Sequence, residues 1–162
     1  RTKLQRQLSK KQGSRKGEPK SRNFIKQLKK VNGQATHIAN QRRDYLHKRS
    51  TEIANQYDAV CVEDLDLRAM SNKGFGNGKA TMDSGYGMFI NMLAYKLAER
   101  GKRLIKIDRW YPSSQICHCC GHRQAMPLKI RTYQCPECGM VFDRDWNAAI
   151  NIKTEGIRFL SA

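Results

Sequence analysis

Acidic residues and long apolar runs are scarce in this 162-residue chain. It has 14 Asp and Glu against 31 Lys and Arg, a formal charge of +17 at pH 7. No apolar run approaches the ~20 residues of a transmembrane helix, which excludes a membrane-spanning protein. The start also lacks the basic segment followed by an apolar one that marks a secretory signal. Because the chain begins at Arg1 and not at Met, we expect it to be a fragment.

The positive charge is concentrated in the first third of the chain. Residues 1–50 hold 16 Lys and Arg and 2 acidic residues, whereas residues 51–162 hold 15 and 12. This division predicts that the first segment holds a polyanion and that the second does the folding or the chemistry. A solvated basic tail is the simpler alternative. An anionic membrane is a weaker one, because residues 1–50 lack the Trp-, Phe- and Leu-rich face of an interfacial helix.

Hydrophobic periodicity predicts a mixed α/β chain. From about Arg22 to Gln56 apolar residues recur at helical spacing, which indicates one amphipathic helix of ~35 residues with Ser21 as its cap. Few acids are available on it for i,i+4 ion pairs, so its charged face is more than a solvated surface. That face carries Lys26, Lys29, Lys30, Arg42, Arg43, Lys48 and Arg49. Further on, the pattern predicts a buried central strand over 59–65, a Gly-rich loop over 66–81, a helix from Asp83 or Ser84 to Arg100, a strand over 103–108, a Cys-rich insert over 115–142 and a short helix over 143–154.

Four of the six cysteines form two C-x-x-C pairs with a glycine after each pair. The pairs are Cys117 with Cys120 and Cys135 with Cys138. Two intervening residues let one tight turn aim both sulfurs at one ion, and four thiolates complete a tetrahedral zinc shell. Such a closed site is structural and not catalytic, and paired knuckles in a chain without a signal indicate a reducing cytosol.

Other interpretations of the cysteines remain open. Four reduced core cysteines are one alternative, although a glycine after each pair suits a knuckle better. A second alternative is a shifted ligand set that uses Cys119 with His122. Cys61 lies on the predicted strand, where a small buried apolar residue is expected.

Acidic side chains stand at two places in the otherwise basic sequence. Glu63 lies near the carboxyl end of a predicted strand, and Asp143 and Asp145 open a predicted helix. Each alone is usually a turn residue or a helix cap. Together, carboxylates on a polyphosphate-binding protein are explained if Mg²⁺ lies between them and the phosphate. Two carboxylates are few for a two-metal site, so at least one more acid is expected.

Several stretches together resemble a known family. They are VEDLDLRAM (62–70), YKLAERG (95–101), YPSSQICHCCG (111–121), YQCPECG (133–139) and DRDWNAAINI (143–152). In order and spacing they resemble the TnpB/OrfB proteins of bacterial insertion sequences, relatives of the type V CRISPR effector nucleases. The resemblance covers about residues 1–155.

The resemblance implies a fold, an activity and partners. The implied fold is a partial RNase H-like (RuvC) α/β nuclease domain with a zinc-ribbon insert and a long basic helix. The implied activity is RNA-guided, Mg²⁺-dependent DNA cleavage in the bacterial cytoplasm, at the nucleoid. The implied segments are a basic helical part (1–57), a strand–helix–strand part (58–114), the ribbon (115–142) and a terminal helix with its tail (143–162).

The resemblance also assigns residues. Glu63 matches the second acid of the family's catalytic trio and Asp145 the third, and Asp143 is a weaker candidate. These acids would hold catalytic Mg²⁺, and Cys117, Cys120, Cys135 and Cys138 would hold structural zinc. Five cations of the long helix (Lys26, Lys29, Lys30, Arg42 and Arg43) would hold the guide RNA–DNA duplex by its backbone. Lys73 and Arg144 are candidate contacts to the displaced strand. Trp110 and Tyr111 are candidates to stack on a base, although aromatic residues beside a strand end more often belong to the core.

Two departures from the family pattern leave alternatives open. Residue 119 is usually not Cys in this pattern, and no stretch before Glu63 matches the family's first catalytic Asp. The chain is therefore expected to be the carboxyl-terminal part of such a nuclease. A catalytically inactive nucleic-acid-binding protein or regulator is the first alternative. A zinc-ribbon protein of the ribosomal or transcription type is the second, although it does not explain DRDWNAAINI or VEDL.

Overall fold

The computed structural model describes residues 2–11, 19–72, 84–127 and 129–161. Its elements are α1 (Thr2–Lys10), α2 (Arg22–Gln56), β1 (Ala59–Glu63), α3 (Leu67–Met70), α4 (Tyr86–Ala98), β2 (Arg103–Ile107), β3 (Thr132–Gln134), β4 (Val141–Asp143) and α5 (Arg144–Ser161). The chain divides into two compact units, residues 1–49 and 50–162. In the described ranges no helix combines the length and the apolar character needed to cross a membrane.

The first unit contains α1 and most of α2. The Ser21 hydroxyl accepts a hydrogen bond from the Phe24 backbone N–H at 3.1 Å, so the predicted cap and the predicted limits of α2 are confirmed. Gln27 fastens the two helices to each other. Its buried side chain donates to the Leu4 carbonyl and to Gln7 Oε1, each at 3.1 Å. Side-chain hydrogen bonds thus supply part of the packing in a unit with few apolar residues.

The second unit is built on a β–α–β arrangement. Strands β1 and β2 are parallel, with Glu63 paired to Ile107 at their carboxyl ends, and α4 connects them. Parallel strands require such a crossover, and α4 supplies the apolar face that packs on them. The core consists of Ala54, Ile90, Leu93 and Leu97, with Val60, Val62 and Leu104 packed against it. Gly101 (φ +66°) follows α4 in the left-handed conformation that is common just after a helix end.

Strand β1 differs from the prediction in burial and length. It ends at Glu63 instead of Leu65, and all five of its residues are half-buried. Among the described residues β1 is hydrogen-bonded only to β2, so the strand is not central in this part of the chain. A parallel strand with covered faces has a continuous apolar sequence whether it has one neighbouring strand or two, so a central place for β1 in the complete nuclease fold stays a prediction.

The Cys-rich segment contains a small antiparallel hairpin that the sequence pattern does not reveal. Strands β3 and β4 pair over three residues each, with Tyr133 opposite Phe142. Three residues are too few for a recognisable alternation of apolar and polar side chains. Tyr133 is fully buried, and its hydroxyl donates to the carbonyls of Gln115 and His122 at 3.1 and 3.2 Å. These bonds join the hairpin to the segment around the first knuckle.

Helix α5 is longer than predicted. It runs for 18 residues to Ser161, whereas a short helix ending near Thr154 was expected. Gly156 is the reason for the mistaken end, because glycine is a poor helix former. In the structure its missing side chain has a packing role. A Cβ at Gly156 would lie 2.8 Å from Cys61 Cβ and closer still to Cys61 Sγ. Glycine therefore lets α5 approach β1 closely.

Candidate functional site

The four paired cysteines converge on one point. The Sγ atoms of Cys117, Cys120, Cys135 and Cys138 all lie within 4.8 Å of one another. Two of the separations are 3.7 Å (Cys117 to Cys138) and 3.5 Å (Cys120 to Cys135). Zinc held tetrahedrally at about 2.3 Å from sulfur would set the sulfurs about 3.8 Å apart. The donor set and its spacing fit a tetrahedral thiolate-bound metal ion.

The turns that form this cluster have the geometry predicted for zinc knuckles. Gly121 and Gly139 have φ values of +78° and +70°, and their N–H groups donate to the carbonyls of Cys117 and Cys135. Backbone N–H groups of Cys138 and Glu137 point at the Cys135 sulfur and lower the pKa of its thiol to about 6. Thiolate is the form that binds metal, so these two N–H groups favour ligation by Cys135.

The shifted ligand set is not the one that the structure assembles. Cys119 is exposed, and its sulfur lies 3.4 Å from His118 Nε2. His122 Nδ1 lies 3.8 Å from the Glu137 carboxylate. In the part of the chain that the structure describes, the cluster of candidate metal ligands consists of Cys117, Cys120, Cys135 and Cys138 alone.

Glu63 and Asp145 line the same cleft although 82 positions separate them in sequence. The cleft has a volume of ≈ 330 Å³ and is also lined by Ser113, Ser114, Met126, Arg144, Ala148, Ala149 and Ile152. Glu63 reaches it from the carboxyl end of β1, and Asp145 from the first turn of α5. Because α5 packs across β1 and β2, a strand end and a helix start come together at one edge of the small sheet.

Both carboxylates already have polar partners in the cleft. Glu63 Oε1 accepts a hydrogen bond from the Ser113 hydroxyl at 2.6 Å. Asp145 Oδ1 accepts from Arg144 Nε and Nη2 at 3.1 and 3.0 Å, and Arg131 Nη1 approaches Oδ2 at 3.3 Å. The Arg144 side chain is only 12% exposed. Two guanidinium groups therefore compensate the charge of Asp145.

The neighbouring acids have structural partners. Asp143 Oδ1 accepts from the backbone N–H groups of Asp145 and Trp146 at 2.9 and 3.0 Å, which makes it the N-cap of α5. Asp66 caps α3 in the same way. Asp64 lies 3.0 Å from Arg109, whose hydrogen bond is the main cause that lowers the pKa of the Asp64 carboxyl. A catalytic role for Asp143 stays a prediction, beside the capping role that the structure describes.

Two asparagines join the first knuckle to α5, and the sequence interpretation missed them. Asn147 is fully buried, accepts from the His118 backbone N–H at 3.0 Å, and donates to the Ile116 carbonyl at 2.7 Å. Asn151, one turn later, donates to the carbonyls of Ser113 and Ile116 at 2.8 and 2.6 Å. The signal in the sequence is the pair Asn147 and Asn151 at the two ends of NAAIN, because residues four positions apart lie on the same face of a helix.

The cations predicted to bind nucleic acid lie in different environments. On α2, in the first unit, Lys26, Lys29, Lys30 and Arg43 are exposed and Arg42 is half-buried. Lys73 lies outside the described residues. Arg144 is paired with Asp145 inside the cleft, as described above. Trp110 is 85% exposed, which is unusual for so large an apolar side chain, whereas Tyr111 is half-buried.

Two family models together match most of the chain. Residues 1–74 match the OrfB_IS605 model, described as a probable transposase. Residues 86–152 match the Cas12f1-like TNB domain, and this range includes the four-cysteine cluster and Asp145, whereas Glu63 lies within the first match.

Curated relatives match the same region. A candidate RNA-guided DNA endonuclease of Streptomyces pristinaespiralis is 40% identical over 138 residues, which cover 85% of this chain and 34% of that protein. InsQ of Escherichia coli, also named as a candidate RNA-guided DNA endonuclease, is 32% identical over 94% of this chain and 40% of that protein. The CRISPR-associated DNA-binding protein Cas12m of Allomeiothermus silvanus is 31% identical over 68% of this chain and 22% of that protein. The chain thus spans about a third of the length of the first of these relatives.

A solved structure has a similar fold. It is a chain of the cryo-EM structure of a Cas12f1–sgRNA–target DNA complex, with a TM-score of 0.55 and 20% sequence identity. The match covers 93% of this chain and 40% of that chain. At this identity the likeness shows a shared fold.

Proposed function

Because the chain belongs to the TnpB/OrfB family, we propose that it is the carboxyl-terminal nuclease part of an RNA-guided, divalent-metal-dependent DNA endonuclease of a bacterial transposable element. The observation that carries the proposal is the cleft shared by Glu63 and Asp145. Named relatives with 40% and 32% identity support the activity. The parallel β–α–β unit supports an RNase H-like (RuvC) fold with a zinc-ribbon insert.

The residues of the cleft fit a hard cation. Glu63 and Asp145 offer carboxylate oxygens, which are the ligands that Mg²⁺ prefers, and Mg²⁺ commonly completes its shell with substrate phosphate. Bound there, Mg²⁺ would stabilise the charge that develops at the phosphodiester during hydrolysis. The chain's own part is to hold the two carboxylates at a fixed spacing, Glu63 through β1 and Asp145 through α5. Arg144 and Arg131 hold the Asp145 carboxylate in its orientation.

The other features predicted from the sequence fit this function as parts of the same proposal. The four cysteines hold structural zinc, which orders the segment that Asn147 and Asn151 join to α5. The exposed cations of α2 hold the guide RNA–target DNA duplex by its phosphates. The working division is a basic helical segment (1–57), a strand–helix–strand segment (58–114), the ribbon (115–142) and a terminal helix with its tail (143–162). The place of action is the bacterial cytoplasm, at the nucleoid.

Cleavage of a plasmid target by the full-length protein with its guide RNA tests the proposal. Glu63→Gln and Asp145→Asn are expected to reduce Mg²⁺-dependent cleavage to background while target binding stays unchanged, because each keeps the side chain's shape and removes its charge. Asp58→Asn is the matched control, since its side chain is 98% exposed and remote from the cleft residues in the fold. Full cleavage by both cleft variants would refute the assignment.

One observation favours a second function, DNA binding without cleavage. A relative with 31% identity is named as a DNA-binding protein. In this alternative the chain acts by occupying its DNA target, and Glu63 and Asp145 no longer support cleavage. The same assay separates the two functions. A wild-type protein that binds guide and target but nicks nothing across a range of Mg²⁺ or Mn²⁺ concentrations supports occupancy alone.

A further inference from the structure

We propose that Ser113 is a positioning residue for the Glu63 carboxylate, an inference that rests on the proposed nuclease function. Ser113 is 5% exposed and lies in the YPSSQ segment that precedes the first knuckle. Its hydroxyl donates to Glu63 Oε1 at 2.6 Å. A hydrogen bond this short to a charged acceptor belongs to the strong class.

The backbone of Ser113 is itself held in place by two hydrogen bonds. The Ser113 carbonyl accepts from Asn151 Nδ2 at 2.8 Å, and the Ser113 backbone N–H donates to the Tyr111 carbonyl at 2.8 Å. Asn151 is 4% exposed and lies on α5, the helix that begins beside Asp145. A continuous chain of hydrogen bonds therefore runs from the Glu63 side chain through Ser113 to the helix of Asp145.

This chain of bonds has a consequence for the spacing of the two acids. A glutamate has three side-chain torsions, and β1 fixes only its backbone. The hydrogen bond from the Ser113 hydroxyl to Oε1 selects one orientation of the carboxylate. Sites that bind metal need such support, because ligands must be held within about 0.5 Å of the productive geometry. Ser113 thus acts on the site through the Glu63 carboxylate.

Metal-dependent cleavage by the full-length protein with its guide RNA tests the role. Ser113→Ala is expected to raise the Mg²⁺ concentration for half-maximal cleavage about tenfold, the effect of losing one hydrogen bond to a charged group. Ser113→Thr keeps the hydroxyl and is expected to stay within about threefold of the wild type. Ser71→Ala is the control, since the exposed Ser71 hydroxyl bonds only a local carbonyl, that of Arg68, in the structure as described. Equal losses for the Ala and Thr variants, with an unchanged Mg²⁺ requirement, would indicate a merely structural role and overturn the proposal.

A double-mutant cycle shows whether Ser113 acts through Glu63. In a Glu63→Gln background, Ser113→Ala is expected to change Mn²⁺ affinity, measured by electron paramagnetic resonance, less than about twofold. A further tenfold loss in that background contradicts the proposal.

Failure of the proposed function gives a different result. If the wild type neither cleaves nor binds Mn²⁺, the nuclease function is refuted, and crystal structures of the wild type and Ser113→Ala decide the positioning. Glu63 in several rotamers in the Ser113→Ala structure would support the positioning role of Ser113. Glu63 in the same single rotamer as in the wild type would overturn it.

Discussion

Replacing Gly156 with alanine tests the packing on which the cleft depends. Gly156 lies on α5 directly over Cys61 of β1, and an added Cβ would be 2.8 Å from Cys61 Cβ and 3.7 Å from Ile105 Cγ2. Ordinary contacts between carbon atoms begin near about 3.5 Å. Because Cys61 Cβ is fixed to the strand backbone, rotation of a side chain cannot relieve the overlap. The helix and the strand must separate, by about 1 Å.

The expected net effect is a loss of stability. Overpacking costs about 1–3 kcal/mol, and overlap with both the Cβ and the Sγ of Cys61 places this site near the upper end. Alanine regains about 1 kcal/mol as the better helix former, which leaves a net loss of about 2 kcal/mol. For a chain of this size that corresponds to a fall in Tm of about 4–8 °C. The same displacement would move Asp145 relative to Glu63, so cleavage is expected to fall by more than the stability loss alone explains.

Thermal unfolding followed by circular dichroism measures the effect, and the chain offers a matched control. Gly33 also lies within a helix, but in the described part of the chain no atom beyond its chain neighbours and the backbone of its own helix lies within 4 Å of its Cβ position. Gly33→Ala is therefore expected to stabilise α2 by about 1 kcal/mol, the opposite sign. Adding Cys61→Ala to Gly156→Ala removes the sulfur and is expected to restore part of the loss. An unchanged or higher Tm for Gly156→Ala would refute the close approach of α5 and β1.

Three other changes have expected outcomes. Cys135→Ser is expected to abolish binding of one zinc ion per chain, whereas Cys119→Ser keeps the ion because its sulfur lies outside the cluster. Native mass spectrometry counts the zinc ions bound to each variant, and equal zinc content in both variants would contradict the ligand set. The hydrogen bond from Arg109 lowers the pKa of Asp64, so the stabilisation by Asp64 is complete above its ordinary pKa of 3.8 and is lost as the pH falls through the lowered value. The difference in Tm between the wild type and Asp64→Asn should therefore shrink as the pH falls below 3.8, and a difference that grows would be the wrong sign. Lys29→Ala should reduce the slope of log affinity against log salt by about 0.9 in duplex binding measured by fluorescence anisotropy, and an unchanged slope would remove Lys29 from the interface.

Local patterns in the sequence were sufficient for the elements that depend on near neighbours. The limits of α2 follow from a long helical period and a serine cap, both of which act within a few residues. The cysteine cluster follows from two C-x-x-C-G turns, since each turn aims its sulfurs through its own backbone. The β3–β4 hairpin could not be predicted, because three-residue strands carry too little pattern.

Contacts between distant parts of the chain were decided by the tertiary structure. A glycine in a helical pattern indicates a helix end, yet Gly156 lies within α5 because Cys61, 95 positions earlier, fills the space that a side chain would need. Glu63 and Asp145 were predictable as acids of interest from the sequence and its resemblance. Their common cleft and the Ser113 hydroxyl that orients Glu63 from 50 positions away depend on how α5 packs across the sheet. Packing of that kind is a property of the whole unit, so no local pattern contains it.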